Sequence, residues 1–304
     1  MLTEETLLKL LIIHNLIHKN EWTARELAWE IGIKPEKLIE LISDLQNNFL
    51  IEYSGGRVFW NPADIPSYIK PWGWTLIHRS LLGSTQDAAR GYGPWTIIVS
   101  EYMLWGKGRF GKTWRTSLGG LWTTFKVMIR PETAVLLPII IPTILVRILR
   151  KHLNIDARIK WPNDIIVGDK KLAGILIEAE AFQENILAYI GIGLNVNNDP
   201  PVEEAVSIKA VTGSLTPRNR ILSTMIGWIS RIPKLAEDPE EVKEEYIENL
   251  ATLGKRIEAT MKDGSIIRGV AKGVDDRGSL IVELEEGGEK ILDATDTYRL
   301  KHLT

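Results

Sequence analysis

The densest chemical signal in the chain is a run of cations set among glycines. Residues 106–113, Gly106-Lys-Gly-Arg-Phe-Gly-Lys-Thr113, place Lys107, Arg109 and Lys112 between Gly106, Gly108 and Gly111. Glycine lets backbone N–H groups approach anionic oxygens closely, and the cations bring charge to the same concavity, so the stretch suits a phosphate. Trp114 follows with a flat face for stacking. The letters also satisfy the P-loop pattern, which requires a helix directly behind the loop with its N–H groups on phosphates. Here the chain continues as Trp-Arg-Thr-Ser-Leu-Gly-Gly-Leu-Trp-Thr-Thr-Phe. The pair Gly119 and Gly120 would cost a helix about 2 kcal/mol, so strand is the better expectation. No later apolar strand ends in an acid that could hold Mg2+. The loop therefore reads as a cationic lid rather than a P-loop.

A second stretch, Lys-Trp-Pro-Asn-Asp-Ile-Ile-Val-Gly-Asp-Lys-Lys-Leu-Ala-Gly-Ile-Leu-Ile-Glu over 160–178, brackets two short apolar strands with Lys160, Asn163, Asp164 and Lys171. Pro162 fixes the approach, and Gly174 interrupts a strand where close backbone access is needed. Lys170 reads as a solvated turn residue. Combined with the basic glycine loop, the set suggests handling of carboxylate and phosphate groups.

Three groups of elements must carry these residues. Residues 4–18 read as an amphipathic helix. Thr23 with Glu26 forms a capping box for a second helix ended by Gly32, and Pro35 opens a third. A hairpin turning at Ser54-Gly55-Gly56 follows, which makes a winged helix-turn-helix over 1–62. Its charge argues against DNA: nine acids face six bases between residues 1 and 60, a net of −3, and Glu36, Glu40 and Asp44 line the would-be recognition helix. Phosphate binding normally needs Lys and Arg there, so packing or dimerisation is the better reading.

Residues 61–73, rich in proline, read as a linker. Strand-like runs begin at Trp74, Trp95 and Leu121, a helix fills 139–153 with its prolines in or before the first turn, and further strands cover 172–182 and 186–196. Two helices, 219–236 and 239–250, complete a domain over 63–252. From 253 to 304, short strands separated by Asp-Gly, Arg-Gly and Gly-Gly turns predict an SH3-like β-barrel. The fold class is α+β.

Composition sets limits. The 304 residues carry a net charge of −2, and no cysteine is present, which excludes disulfides, thiolate nucleophiles and zinc–thiolate sites. His14 and His18 sit four apart without an acidic partner at ligand spacing, so a structural pair is the better reading and no resident metal is expected. The most apolar run, from Ala134, is interrupted by Pro138, Pro142 and Arg147, and the first residues carry no basic patch. Neither a membrane span nor a secretory signal is expected, and the protein is expected to be cytoplasmic.

Four motifs in order, Gly-Ser-Thr-Gln-Asp-Ala-Ala at 83–89, the glycine loop at 106–114, the Lys-Trp-Pro-Asn-Asp stretch at 160–178 and Gly-Ile-Gly-Leu-Asn-Val at 191–196, resemble those of biotin protein ligases of the bifunctional type. The resemblance covers essentially the whole chain. It implies a winged helix, a central mixed sheet with helices like that of class II aminoacyl-tRNA synthetases, and an SH3-like domain. It implies two reactions: biotin and Mg–ATP form biotinyl-5′-AMP, and a lysine of a biotin carboxyl carrier domain takes the biotin. By the resemblance, Lys171, Arg109 and Asp164 are catalytic. Ser84, Thr85 and Gln86 meet biotin's ureido head. Lys107 and Arg109, with the amides of Gly106 and Gly108, line the adenylate's path, and Trp114, Asn163 and Asn195 frame the adenylate. Two departures stand out. Met103 replaces the glutamine common in the family, which removes a hydrogen bond unless Gln86 supplies it, and lysines replace arginines at 107 and 112. A biotin-responsive DNA-binding repressor and a lipoate-type ligase are the alternatives.

Overall fold

The computed structural model describes residues 2–303 of the chain. Contacts divide the chain into two compact units, one of Met1–Lys107, Thr113–Val127 and Tyr189–Ile226, the other of Gly108–Lys112, Met128–Ala188 and Gly227–Thr304.

The first unit begins with helix α1 (Glu4–His18), strand β1 (Glu21–Thr23), helices α2 (Ala24–Ile31) and α3 (Pro35–Leu45), and strands β2 (Ile51–Ser54) and β3 (Arg57–Trp60). The expected capping box is present: Thr23 Oγ1 accepts from Glu26 N, and Glu26 Oε2 accepts from Thr23 N, each at 3.2 Å. Gly32 ends α2 at φ +79°, and Gly55 and Gly56 turn the β2–β3 hairpin at φ +56° and +75°. Strand β1 was not expected. Its three residues are too few to show alternation, and it exists by pairing with β3 in the order β1-β3-β2. Ile12, Leu27, Leu41, Phe49 and Trp60 centre a shared apolar core.

Residues 61–73 are more than a tether. Two short 3-10 turns, Pro62–Asp64 and Pro66–Tyr68, bury Asp64 and Ile65 completely. Strand β4 (Thr75–Leu82), helix α4 (Thr85–Arg90), strand β5 (Thr96–Met103), the short strands β6 (Gly106–Lys107) and β7 (Thr113–Trp114) and strand β8 (Leu121–Ile129) follow. Strand β4 runs parallel to β5 and β5 antiparallel to β8, so the central sheet is mixed. As the glycine pair predicts, strand and not helix follows the glycine loop.

Helices α5 (Pro131–Ala134) and α6 (Leu137–Leu153) come next, then β9 (Ala157–Lys160), β10 (Asp164–Val167), β11 (Lys170–Phe182) and β12 (Asn185–Leu194). Helix α6 starts before residue 139, and Pro142 lies inside it rather than in the first turn. That leaves one i→i−4 bond unmade within a helix whose burial is extensive. Helices α7 (Ile208–Thr212), α8 (Arg218–Ile229), α9 (Ile232–Leu235) and α10 (Pro239–Glu248) follow. The helix expected over 219–236 is two pieces, interrupted just before Ile232 and Pro233. In the second unit β9, β10 and β11 are antiparallel neighbours, and Arg147 of α6 grips Glu245 of α10 through its Nε at 3.0 and 3.1 Å.

Strands β13 (Arg256–Met261), β14 (Ile266–Val274), β15 (Leu280–Leu284), β16 (Glu289–Leu292) and β17 (Thr297–His302) form an antiparallel sheet in the order β16-β15-β14-β13-β17. Positive φ at Gly264, Gly278, Gly287 and Gly288 makes the turns that the sequence marks. Among the described residues no helix is long and apolar enough to cross a membrane.

Candidate functional site

In the first unit, Ser84 in extended conformation precedes α4, so Thr85 and Gln86 enter the fold at the helix start with all three side chains buried. Gln86 Nε2 donates to Tyr189 O at 3.0 Å. The Thr124 hydroxyl on β8 lies 3.0 Å from both Thr85 Oγ1 and Gln86 Oε1, and its single proton serves one of them at a time. The amide of Gln86 is thus held on both ends. Ser84 Oγ, by contrast, is buried with no hydrogen-bond partner among the described residues, so its hydroxyl is open to a ligand.

Met103, at the end of β5, points its sulfur at the same corner. Sδ accepts from Thr85 N at 3.4 Å and from Thr85 Oγ1 at 3.6 Å, and Thr116 holds the Met103 backbone N–H and carbonyl at 3.0 Å each. Strands β6 and β7 pair Gly106 with Trp114 and Lys107 with Thr113. A Cβ on Gly106 would meet Trp114 O at 2.5 Å and Met103 Cε at 3.0 Å, and one on Gly193 would meet the Trp114 indole at 2.5 Å. Both glycines are required by close packing against Trp114, Gly106 by its backbone and Gly193 by its ring. Lys107 pairs with Asp87 of α4. Asn195 is buried, and its Oδ1 accepts from Asn198 Nδ2 at 2.9 Å.

The second unit carries the other named residues. Within residues 108–112, Gly108 N donates to Lys112 O at 2.7 Å, and Phe110 adopts φ +56°. Arg109 Nη1 donates to Asn163 Oδ1 at 3.2 Å, and Nη2 donates to Thr297 O at 3.0 Å and to Ala294 O. Asn163 in turn donates to Ile175 O at 2.6 Å and accepts Ile175 N at its own carbonyl at 3.0 Å. Trp161 anchors the stretch: its indole N–H donates to Gly278 O at 2.8 Å. Asp164 stands opposite Gly174 on β11, a bulge between Ile165 and Ile166 shifts the register, and Lys171 Nζ lies 2.6 Å from Asp164 Oδ1.

Charge is concentrated here. Burial pushes the Lys112 ammonium below its ordinary value; the cations Arg109, Arg299 and Lys171 push the same way, and Asp164 opposes them. Burial also lowers Arg109, against the pull of Asp164 and Asp293, though a guanidinium stays charged throughout. Arg109, Lys112, Lys171 and Arg299 thus gather about two acids, Asp164 and Asp293, which leaves an excess of positive charge that suits an anion. Arg299, Thr124 and Tyr298 were not singled out in the sequence. They sit in ordinary strands without a motif, and only the fold brings them to the named residues.

The chain matches the Biotin/lipoate A/B protein ligase family over residues 88–197 and the Biotin protein ligase C terminal domain over 252–296. It is 29% identical over 241 residues to the bifunctional ligase/repressor BirA of Bacillus subtilis, covering 73% of each chain. It is 26% identical to the biotin–[acetyl-CoA-carboxylase] ligase of Mycobacterium tuberculosis, covering 80% of this chain and 90% of that one. The solved biotin protein ligase from Aquifex aeolicus, in complex with biotin and ATP, superposes with a TM-score of 0.65 at 25% identity, covering 75% of this chain and 99% of that chain.

Proposed function

This chain belongs to the biotin protein ligase family, and from that premise we propose that it is an ATP-dependent biotin–[biotin carboxyl carrier protein] ligase. The biotin carboxylate attacks the α-phosphorus of ATP, the bond to the β-phosphate breaks, and pyrophosphate leaves. A carrier-domain lysine amine then attacks the acyl carbon of biotinyl-5′-AMP, and AMP leaves. Both steps require charge neutralisation where two anions meet, and exclusion of water from a reactive anhydride.

The observation that carries the reading is the cation cluster Arg109, Lys112 and Lys171 around Asp164, built on the two motifs that the sequence marked. Lys171 is assigned to the carboxylate and phosphoryl oxygens, Asp164 to orienting Lys171, and Arg109 with Lys107 and the amides of Gly106 and Gly108 to the phosphate path. Ser84, Thr85, Gln86 and Met103 are assigned to the ureido head. Trp114, Asn163, Gly174 and Asn195 frame the adenylate. Mg2+ enters with the nucleotide as Mg–ATP. Residues 1–62 are assigned to a winged helix-turn-helix, 63–252 to the catalytic domain and 253–304 to an SH3-like domain. A cytoplasmic location and a homodimer are part of the same reading.

Biotin-dependent exchange of labelled pyrophosphate into ATP by the purified chain tests it. Exchange followed by transfer to a carrier-domain lysine is the expected result, and no exchange sinks the reading. Exchange supported by lipoate but not biotin would support the lipoate-type alternative. Repression is the second reading because the Bacillus subtilis relative is named a ligase/repressor.

A further inference from the structure

Residues 108–112 of the glycine loop are held by the turn and strand at 293–298, and three of those five residues take part. Arg109 gives Nη2 to the carbonyls of Thr297, at 3.0 Å, and Ala294. Lys112 Nζ donates to Tyr298 O at 3.0 Å and stands 3.8 Å from the centroid of the Tyr298 ring. The Phe110 ring lies 5.6 Å from that of Tyr298, tilted at 46°, and Lys262 Nζ stands 5.3 Å from the centroid of the Phe110 ring. Phe110 occupies the left-handed region, φ +56°, which a bulky residue keeps only where its surroundings fix it.

The receiving turn is itself preorganised. Asp293 Oδ1 accepts from Thr295 N and Thr295 Oγ1, each at 2.6 Å, and Asp293 O accepts from Thr297 N at 3.1 Å and Thr297 Oγ1 at 2.8 Å. Three carbonyls and one aromatic face are therefore aimed at the loop by a rigid support. These contacting groups are neutral, and Asp293 of the same turn pulls on Arg109 without bonding to it. Bonds from cations to phosphate oxygens are stronger than bonds to neutral carbonyls, so an anionic ligand can take these donors over.

We propose that the turn and strand at 293–298 form a latch for the glycine loop, with Tyr298 as its positioning residue: it holds Phe110 and Lys112 so that the loop is already ordered before ligand arrives. Ordering the loop in advance reduces the entropy lost on closure. The role in catalysis rests on the ligase reading above, in which a loosely held loop lets water reach the adenylate. Tyr298 acts through its ring, so Tyr298→Phe retains the latch and Tyr298→Ala loses it.

Limited trypsin digestion of the full chain, followed by mass spectrometry of peptides ending at Arg109 and Lys112, reads the loop directly. Tyr298→Ala is expected to speed cleavage at these two sites at least several-fold, with Tyr298→Phe at the native rate. Phe110→Ala removes the same contact from the loop side and is expected to match Tyr298→Ala even if the latter perturbs β17. Native-rate cleavage in both alanine variants overturns the latch. In the ligase assay, Tyr298→Ala is expected to raise the fraction of adenylate released to water relative to that transferred to the carrier lysine, and Tyr298→Phe to restore the native partition. An unchanged partition in the alanine variant overturns the catalytic role of the latch. The digestion needs no biotin chemistry. Fast cleavage in a chain without exchange activity therefore sinks the ligase reading alone, and normal exchange with unchanged cleavage sinks the latch alone.

Discussion

Lys171 Nζ stands 2.6 Å from Asp164 Oδ1 across the bulged pairing of β10 with β11, and neither side chain is fully buried. The ammonium is paired with Asp164 yet stays partly exposed, an arrangement that fits the proposed role of Asp164 in orienting it. Lys171→Ala should lower pyrophosphate exchange by about 10²–10³-fold, the usual cost of removing one preorganised charge donor at a reacting centre. Thermal stability should change little, since a partly exposed pair contributes roughly 0–1 kcal/mol. Exchange at the native rate would remove Lys171 from the mechanism.

Met103 offers a soft sulfur where the family commonly has an amide, and the Thr85 N–H already leans on it at 3.4 Å. Gln86 does not make up the difference freely, because Tyr189 O and Thr124 hold its two ends. Met103→Gln adds a donor at a nearly buried position of similar volume. Biotin affinity measured by calorimetry should improve by about tenfold, the equivalent of roughly one net hydrogen bond. Weaker binding would show that the sulfur packs against the ligand rather than missing a bond to it.

Much of this was legible in the residues, and the remainder fails for identifiable reasons. The Thr23–Glu26 box and the Gly55-Gly56 turn are local devices whose partners lie within four residues, so sequence states them outright. The strand behind the glycine loop follows from Gly119 and Gly120. The acceptors of Arg109 Nη2 are backbone carbonyls at 294 and 297, and every residue carries a carbonyl, so no letter announces them. Asp64 sits in a proline-rich stretch that reads as a solvated linker, yet its partner is Arg218, far along the chain. Pairings of that kind exist only after folding.

The exposed face of α3 argues against DNA. Glu36 and Glu40 are exposed, and Lys37 and Lys9 already answer Glu40 at 2.8 Å and Asp44 at 3.2 Å. Among the described residues, α3 has Lys37 as its one base and Glu40 already pairs with it, so the helix offers no run of cations to replace the counterions on DNA phosphates. In a gel-shift at low salt with biotinyl-5′-AMP present, the chain should not retard duplex DNA. A shift that weakens steeply with added salt would restore the repressor reading.

Arg218 is fully buried and joins Asp64, through Nε at 2.8 Å, to Glu101, through Nη1 at 2.5 Å, while His78 Nε2 lies 2.7 Å from Glu101 Oε1. Burial pushes Glu101 up, but Arg218 and the His78 contact outweigh it, so the carboxyl titrates below its ordinary 4.5. Between the lowered value and 4.5 the unfolded chain binds more protons than the native one. Native stability is therefore full above 4.5 and is lost as pH falls through the lowered value. Arg218→Met leaves two buried carboxylates without their cation and should cost about 3–5 kcal/mol at pH 7. It should also introduce a slope above pH 4.5, where Glu101 gives the native chain none. With Arg218 gone, burial is the dominant influence on Glu101 and raises its pKa, so the variant gains stability as pH falls from 7 toward 5. Urea denaturation of both chains at pH 5, 6 and 7 measures this. A variant whose stability stays as flat over that range as the native chain's would show that Glu101 keeps its charge by other means.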